Sequence, residues 1–269
     1  MRTRYVVLSD VHANLPALEA VLESAVRYRP DGYLNLGDAV GYGPFPNECV
    51  QRLAAVGAVS VLGNHELIAL GRLSDERCSP AARDSLRWTT DQLTPETRDV
   101  LGRHPLGRQV DRLYLAHGSP RDPQEYVRSG EAAADHLRWL DREVPDARLL
   151  LLGHTHAQWA WRAGHGTVLH QRPGVVDLPP GERFLLNPGS VGQSRDTRAE
   201  ARFAVLELGP DGGGQVTFHS IRYDVSAVRA ALRHRGLPVD SFHSRPRRRS
   251  PARSVARRIL SLRRRQTRG

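Results

Sequence analysis

Five short stretches of this chain gather carboxylate, imidazole and amide side chains: Asp10-Val11-His12, Gly37-Asp38, Gly63-Asn64-His65-Glu66, His117-Gly118 and Gly153-His154-Thr155-His156. Mixed imidazole and carboxylate donors suit Mn, Fe, Co, Ni or Zn better than an all-oxygen calcium site does. A carboxylate has two oxygens and can bridge two cations, and Asp38 is the natural candidate for that. Two ions roughly 3.5–4 Å apart hold a phosphate, acidify a water and clamp the attacking and leaving oxygens. Phosphoryl transfer then needs mostly positioning and charge neutralisation. His65 follows the candidate ligand Asn64 and need not bind metal itself. Protonated, it would stabilise the phosphate or give a proton to the leaving oxygen. A lone Asp-x-His is usually chance, and Gly63-Asn64 alone could be an ordinary turn. The weight lies in all five occurring in one chain, each at the end of a predicted strand.

The elements that must position these residues follow from periodicity. Residues 4–9 (Arg-Tyr-Val-Val-Leu-Ser) read as a buried first strand, 33–36 as a second and 59–62 as a third. Leu15, Leu18, Val21, Leu22, Ala25 and Val26 recur at helical spacing, and a second helix is expected over 47–56. This β-α-β-α-β order predicts a largely parallel sheet. Residues 66–102 are polar and helical, with starts at Ser79-Pro80 and Thr94-Pro95-Glu96, and are expected beside the site. Strands are expected at 112–117 and 148–152, with a helix over 131–142 between them. Short strands then dominate: 158–163, 167–171, 184–187, 202–208 and 215–223. Asp211-Gly212-Gly213-Gly214 joins the last two as a hairpin, and 225–234 is an amphipathic helix. In an open α/β sheet ligands gather at the carboxyl ends of strands, so distant motifs can share one crevice.

Composition bounds the rest. The chain has 269 residues, enough for one full α/β core. At 6% aromatic residues, base stacking is not an obvious theme. No apolar run approaches bilayer length, and the start lacks the features of a signal peptide. Cys49 and Cys78 lie in different segments and suggest no disulfide framework, so a reducing cytoplasm is the expected compartment. The net charge of +10 is unevenly placed. Eleven of the 39 basic residues, all arginine, and none of the 29 acids fall in 241–269; the remainder holds 28 arginines against 29 acids, net −1. Inferences from charge to partners therefore concern the tail.

The ordered motif set resembles the calcineurin-like metallophosphoesterase superfamily. Leu8-Ser9-Asp10-Val11-His12-Ala13-Asn14-Leu15-Pro16-Ala17-Leu18, Gly37-Asp38-Ala39-Val40-Gly41-Tyr42-Gly43-Pro44 and Asn187-Pro188-Gly189-Ser190-Val191-Gly192 look like its YfcE-like bacterial and archaeal phosphodiesterase branch. The likeness spans about 4–223. It implies a four-layer α/β/β/α sandwich in a metallophosphoesterase domain over 1–240; the Arg-rich, low-complexity 241–269 has no counterpart in the family and is expected to be a disordered tail. It implies two divalent transition-metal ions, manganese foremost, with Fe, Ni, Co or Zn as alternatives. Asp10, His12, Asp38 and His156 would hold one; Asp38, Asn64, His117 and His154 the other. His65 would be the catalytic histidine, paired with Glu66, beside Asp38 as a catalytic bridge. The implied reaction is hydrolysis of a small phosphodiester by a metal-bridging hydroxide. Protein phosphatases of the superfamily carry an Asp-Arg-Gly signature and an arginine before Gly-Asn-His; here Gly41-Tyr42-Gly43 and Leu62 stand in those places. The complete motif set also separates the chain from scaffold-only members.

Alternatives stay open at this point: a phosphomonoesterase or nuclease of the same fold, or an inert binding module acting through the basic tail. Asn14 and Arg195 are candidate substrate contacts. Asn14 and Tyr42 lie in motif loops where turn stabilisation is an equal reading, and Arg195 could fork onto phosphate or face solvent. His104, His136, His165, His170, His219, His234 and His243 are expected at the surface. In the tail, Val255, Ile259, Leu260 and Leu262 among arginines would make a basic amphipathic helix able to touch anionic lipid or nucleic acid.

Overall fold

Alternation along the strands sorts the core into layers. In strand β1 (Thr3–Leu8), Val6 and Leu8 pack against helices, whereas Val7 points the other way into a second cluster. The same two-residue period splits Leu113 and Leu115 from Tyr114 and Ala116 in β5 (Leu113–Ala116). Successive side chains in a strand face opposite sides, so a strand apolar on both sides must be covered on both. The result is two six-stranded sheets packed face to face, with helices outside each.

The computed structural model describes residues 2–170 and 172–244. The first sheet has the order β3-β2-β1-β11-β12-β9, built from β1, β2 (Gly32–Asn35), β3 (Val59–Ser60), β9 (Gly174–Leu178), β11 (Ala201–Leu208) and β12 (Gly214–Ile221). The second runs β4-β5-β6-β10-β7-β8, with β4 (Gly107–Val110), β5, β6 (Leu149–Leu151), β7 (Gln158–Arg162), β8 (Gly166–His170) and β10 (Phe184–Pro188). Helices α1 (Leu15–Ala25), α2 (Pro46–Ala55) and α5 (Pro95–Gly102) cover the first sheet, and α6 (Gly130–Glu143) covers the second. The α/β/β/α sandwich is therefore present.

The sheets differ from the largely parallel arrangement that the early β-α-β order suggests. Each is a parallel trio, β3-β2-β1 or β5-β6-β10, extended by antiparallel strands. The hairpin expected at 211–214 joins β11 to β12. Strands β4 and β9, both at sheet edges, escape sequence reading because exposed residues break the apolar pattern in each. Arg108 and Gln109 of β4 are exposed, as is Val175 of β9 beside buried Val176.

The polar stretch after residue 66 forms α3 (Asn64–Ala69), α4 (Pro80–Gln92) and α5. Ser79 and Thr94 cap α4 and α5 through the backbone N–H groups of Ala82 and Thr97, and a proline opens each helix as expected. After α7 (Val225–His234) the fold continues past the boundary expected at 240. Phe242 is buried against Val228, Leu232 and Leu237. Ser194 donates its N–H to Phe242, and Ser244 donates to Ser194. A small patch of strand pairing and one aromatic anchor thus hold 241–244 to the body. The remaining tail, 245–269, lies outside the described residues.

Candidate metal centre

Both parallel trios end on the same side of the sandwich, and the five motifs sit at those ends. Asp10 and His12 follow β1, Asp38 follows β2, and Asn64 to Glu66 open α3 just beyond β3. His117 follows β5, and His154 and His156 follow β6. The ladder continues past the strands: Asp10 and His12 donate backbone N–H groups to Gly37 and Asp38, and Gly153 donates to His117. The loop after β10 closes the arrangement, since Val191 and Gly192 donate to Ser9 and Asp10 and the Ser190 hydroxyl donates to the Asp10 carbonyl.

This convergence forces an unusual backbone. Asp10, His12, Ala13, Asp38, Tyr42, His154 and His156 all have φ between 48° and 64°. Non-glycine residues seldom adopt that region, and such positions cluster where function over-determines the chain. Two glycines are obligatory for space. A β-carbon at Gly63 would strike the Asp38 carboxylate, and one at Gly41 (φ 86°) would strike the His65 ring.

Two groups of donors lie on either side of the centre, one containing Asp38 and the other within reach of it through His12. His156 Nε2 lies 3.1 Å from Asp10 Oδ1 and 3.1 Å from His12 Nε2, and His12 Nε2 is 3.7 Å from both Asp10 Oδ1 and Asp38 Oδ2. On the other side His117 Nε2 is 3.1 Å from Asp38 Oδ2. Asp10, His12 and His156 form one set, and Asp38, His117 and His154 another; within each set the donor atoms lie within 4.8 Å of one another. His65 falls in a third set with His12 and Asp38, its Nε2 3.9 Å from Asp38 Oδ2. Asn64 is buried and lines the same cavity as Asp38, His65 and His154.

The outer partners orient these donors inward. His12, His117 and His156 direct Nδ1 to the carbonyls of Val40, Leu36 and Gln193, at 3.2, 2.7 and 2.7 Å. An Nδ1–H donated to a carbonyl leaves the Nε2 lone pair facing the centre, as a metal ligand requires. Asp10 Oδ2 accepts from the Ser9 hydroxyl and the His154 N–H, while Oδ1 is left over. Asp10 Oδ1, Asn64 Oδ1, His117 Nε2 and His154 Nε2 are buried without hydrogen-bond partners. Orphaned buried polar atoms are costly. Four of them, shared between the two donor sets of one centre, fit divalent cations.

Burial governs the protonation states. It opposes charge on Asp10 and Asp38, but the imidazoles around them outweigh it and hold both carboxyls well below the ordinary range: His156 and His12 at Asp10, His117 and His65 at Asp38. Burial pushes His65 down to about 3, His154 to about 2 and His156 to about 4, the last helped by Arg195. His117 is the exception: burial lowers it, but Asp38 more than compensates and lifts it to about 9. Burial thus disfavours the protonated His65 that the sequence reading considered. Nor does Glu66 pair with the His65 ring. Its carboxylate accepts backbone N–H groups from Asp38, Val40 and Gly63, which ties two motif loops together.

The two candidate substrate contacts part company. Asn14 is fully buried; it caps α1 through the Ala17 N–H and donates to the Gly192 carbonyl and the Tyr223 hydroxyl. Its polar atoms are committed, and it does not line the cavity. Arg195 does line it, donating to Gln193 Oε1 and to His156 Nε2 at 3.2 Å each. His136, expected at the surface, is buried on α6 and faces Glu125 Oε1 at 3.0 Å. Sequence reading missed Tyr126, whose ring centre lies 4.0 Å from that of His154 at a tilt of 39°, and the cavity wall formed by Asp240, Ser241, His243 and Ser244. Tyr126 lies in a polar loop with no motif around it, so nothing local marks it.

Two sheets with converging parallel trios and paired His/Asp clusters define a metal-dependent phosphoesterase centre. The chain belongs to the calcineurin-like phosphoesterase family, whose model matches residues 3–178. It is similar to a metallophosphoesterase from Sphaerobacter thermophilus, whose crystal structure superposes with a TM-score of 0.76 at 37% identity over 90% of this chain and 97% of that one. An uncharacterised protein of Methanocaldococcus jannaschii is 27% identical over 244 residues, 88% of this chain and 95% of its own length. Phosphodiesterase YfcE of Escherichia coli is 26% identical over 192 residues, 68% of this chain and 83% of that one. No helix among the described residues is long and apolar enough to cross a membrane.

Proposed function

We propose that this chain hydrolyses small phosphodiesters at a two-metal centre. The observation that supports it most is the pair of inward-facing donor sets meeting on Asp38. In this reading Asp10, His12, Asp38 and His156 hold one divalent cation, and Asp38, Asn64, His117 and His154 the other. The donor mix of imidazole, carboxylate and one amide favours manganese or a neighbouring transition metal. When bound, the pair supplies Lewis acidity and an acidified water at phosphorus. His65, its charge disfavoured by burial and its ring packed between His12 and Tyr42, is the residue that handles the proton at the reacting oxygen. Arg195 receives the phosphate, its guanidinium already directed at the centre by Gln193. The similarity to a phosphodiesterase supports diesters over monoesters. Two unbridged cysteines, Cys49 and Cys78, fit a cytoplasmic site of action. The Arg-rich tail would add contacts to anionic lipid or nucleic acid.

Elemental analysis of purified protein, followed by turnover of bis(4-nitrophenyl) phosphate and 4-nitrophenyl phosphate with each candidate metal, tests this reading. Two metal equivalents and faster diester than monoester turnover are expected. Undiminished turnover in both Asp38→Asn and His65→Ala would refute the mechanism.

A further inference from the structure

The wall that Arg195 forms has two sides. On one lies the main cavity over the metal centre, about 860 Å³, lined by Asp38, Asn64, His65 and His154 among others. On the other lies a second cavity of about 310 Å³, lined by Arg128, Thr155, Ala157, Trp159 and His170. The two share His156 and Arg195 in their walls. Tyr126 completes the divider: its hydroxyl is 3.5 Å from Arg195 Nη1, its ring lies tilted against that of His154, and the Arg128 guanidinium lies 4.3 Å from the ring centre. Arg128 has no carboxylate within ion-pair distance among the described residues. Asp196, also in this wall, is neutralised by Arg202 at 2.6 Å.

Geometry at phosphorus gives this division a use. A monoester carries one organic arm; a diester carries two, diverging from a tetrahedral centre. In-line displacement sends the leaving arm away opposite the attacking oxygen, while the retained arm must point elsewhere. A diester site therefore needs two diverging spaces that meet at the phosphate. Arg195, the candidate phosphate contact, stands where these two cavities meet. His65 and Asn64 line only the larger, so the leaving oxygen, which must take up a proton, belongs there.

We infer that the cavity behind Arg195 binds the retained, planar aromatic arm of the phosphodiester, an inference that rests on the phosphodiesterase reading above. Hydrolysis then forms a bond from the water oxygen to phosphorus and breaks the bond to the leaving arm, whose oxygen takes up the proton that the water gives up. The monoester product keeps its arm in the smaller cavity, against the Arg128 guanidinium and the rings of Trp159 and His170. Cation and aromatic surfaces on one small space suit a flat π system better than an aliphatic chain.

The test holds the leaving group constant and varies the retained arm. Methyl 4-nitrophenyl phosphate and bis(4-nitrophenyl) phosphate both release 4-nitrophenolate. In Arg128→Ala, and in Ala157→Leu, which fills the cavity, the kcat/KM ratio of the aryl to the methyl diester should fall about tenfold, through KM. Independently of turnover, phenyl phosphate added to the protein should perturb tryptophan fluorescence, and Trp159→Phe should abolish that change. An unaltered ratio in both variants, or a fluorescence response that persists in Trp159→Phe, would overturn the inference. If no diester is turned over by the metal-loaded wild type, the phosphodiesterase reading fails, and the fluorescence titration still decides whether the cavity takes an aryl phosphate.

Discussion

The floor and the far wall of the main cavity are built differently. The floor, carrying Asp10, His12, Asp38, His117, His154 and His156, is buried to within a few per cent and stitched by backbone hydrogen bonds that prolong the strand ladders. The wall, carrying Tyr126, Arg195 and residues 240–244, is partly exposed and held by a short patch of backbone pairing to Ser194, single side-chain contacts and one buried phenylalanine. The floor lies wholly within the segment that matches the family, residues 3–178, while most of the wall lies beyond it. The contrast suggests that the floor sets whether chemistry occurs and the wall sets on what. A floor donor must hold its place against strained φ angles and buried charge, so little variation is tolerated. A wall residue can change with a modest loss.

Substitutions can break or sharpen that contrast. Asp38→Asn should have the largest effect. Disturbing even the outer partners of metal ligands costs about 10- to 100-fold, so replacing the shared carboxylate should exceed that in turnover and reduce metal content in parallel. Retention of both metals and of activity would show that the two donor sets do not share Asp38.

Glu66→Ala should act on stability. It removes a buried carboxylate that accepts three backbone N–H groups from different loops. A loss of about 3 kcal/mol in urea unfolding is expected, with Glu66→Gln losing less. Equal stability of Glu66→Ala and wild type would mean that the floor does not depend on this tie.

Arg195→Ala belongs to the wall. It should raise KM about tenfold, as expected for losing one charge-assisted hydrogen bond, with kcat changed far less and Arg195→Lys partly restoring affinity. A loss confined to kcat would instead place Arg195 with the floor. The smallest effect is expected for Ser241→Ala, which removes the hydroxyl that donates to the Tyr42 carbonyl at 3.0 Å. A loss of about 1 kcal/mol should appear as a severalfold rise in KM for the larger diester, with metal content intact.

Much of the floor was legible because each motif is local. Asp10-Val11-His12 needs only a preceding strand to point to a site, and buried strands announce themselves as apolar runs. Helices α4 and α5 were equally plain, since Ser79-Pro80 and Thr94-Pro95 carry their own capping chemistry. The edge strands β4 and β9 were not, because exposed residues break the apolar pattern in each. Asn14 illustrates the limit from the other side. Its place in a motif loop left substrate contact and turn stabilisation equally open, and its amide spans to Gly192 and Tyr223, partners 178 and 209 residues away.

Sequence alone determined the donor chemistry: which oxygens and imidazoles exist, that they end strands, and that they are too many for coincidence. It also located the charge imbalance in the tail. Tertiary structure decided how those donors cluster, that burial disfavours charge on His65, that Glu66 serves backbone and not His65, and that Arg195 lines two cavities. The physical reason is distance. Ligand types are encoded residue by residue, whereas protonation, donor sharing and cavity shape arise from groups far apart in the chain that only the closed sandwich brings together, in a medium from which water has been removed.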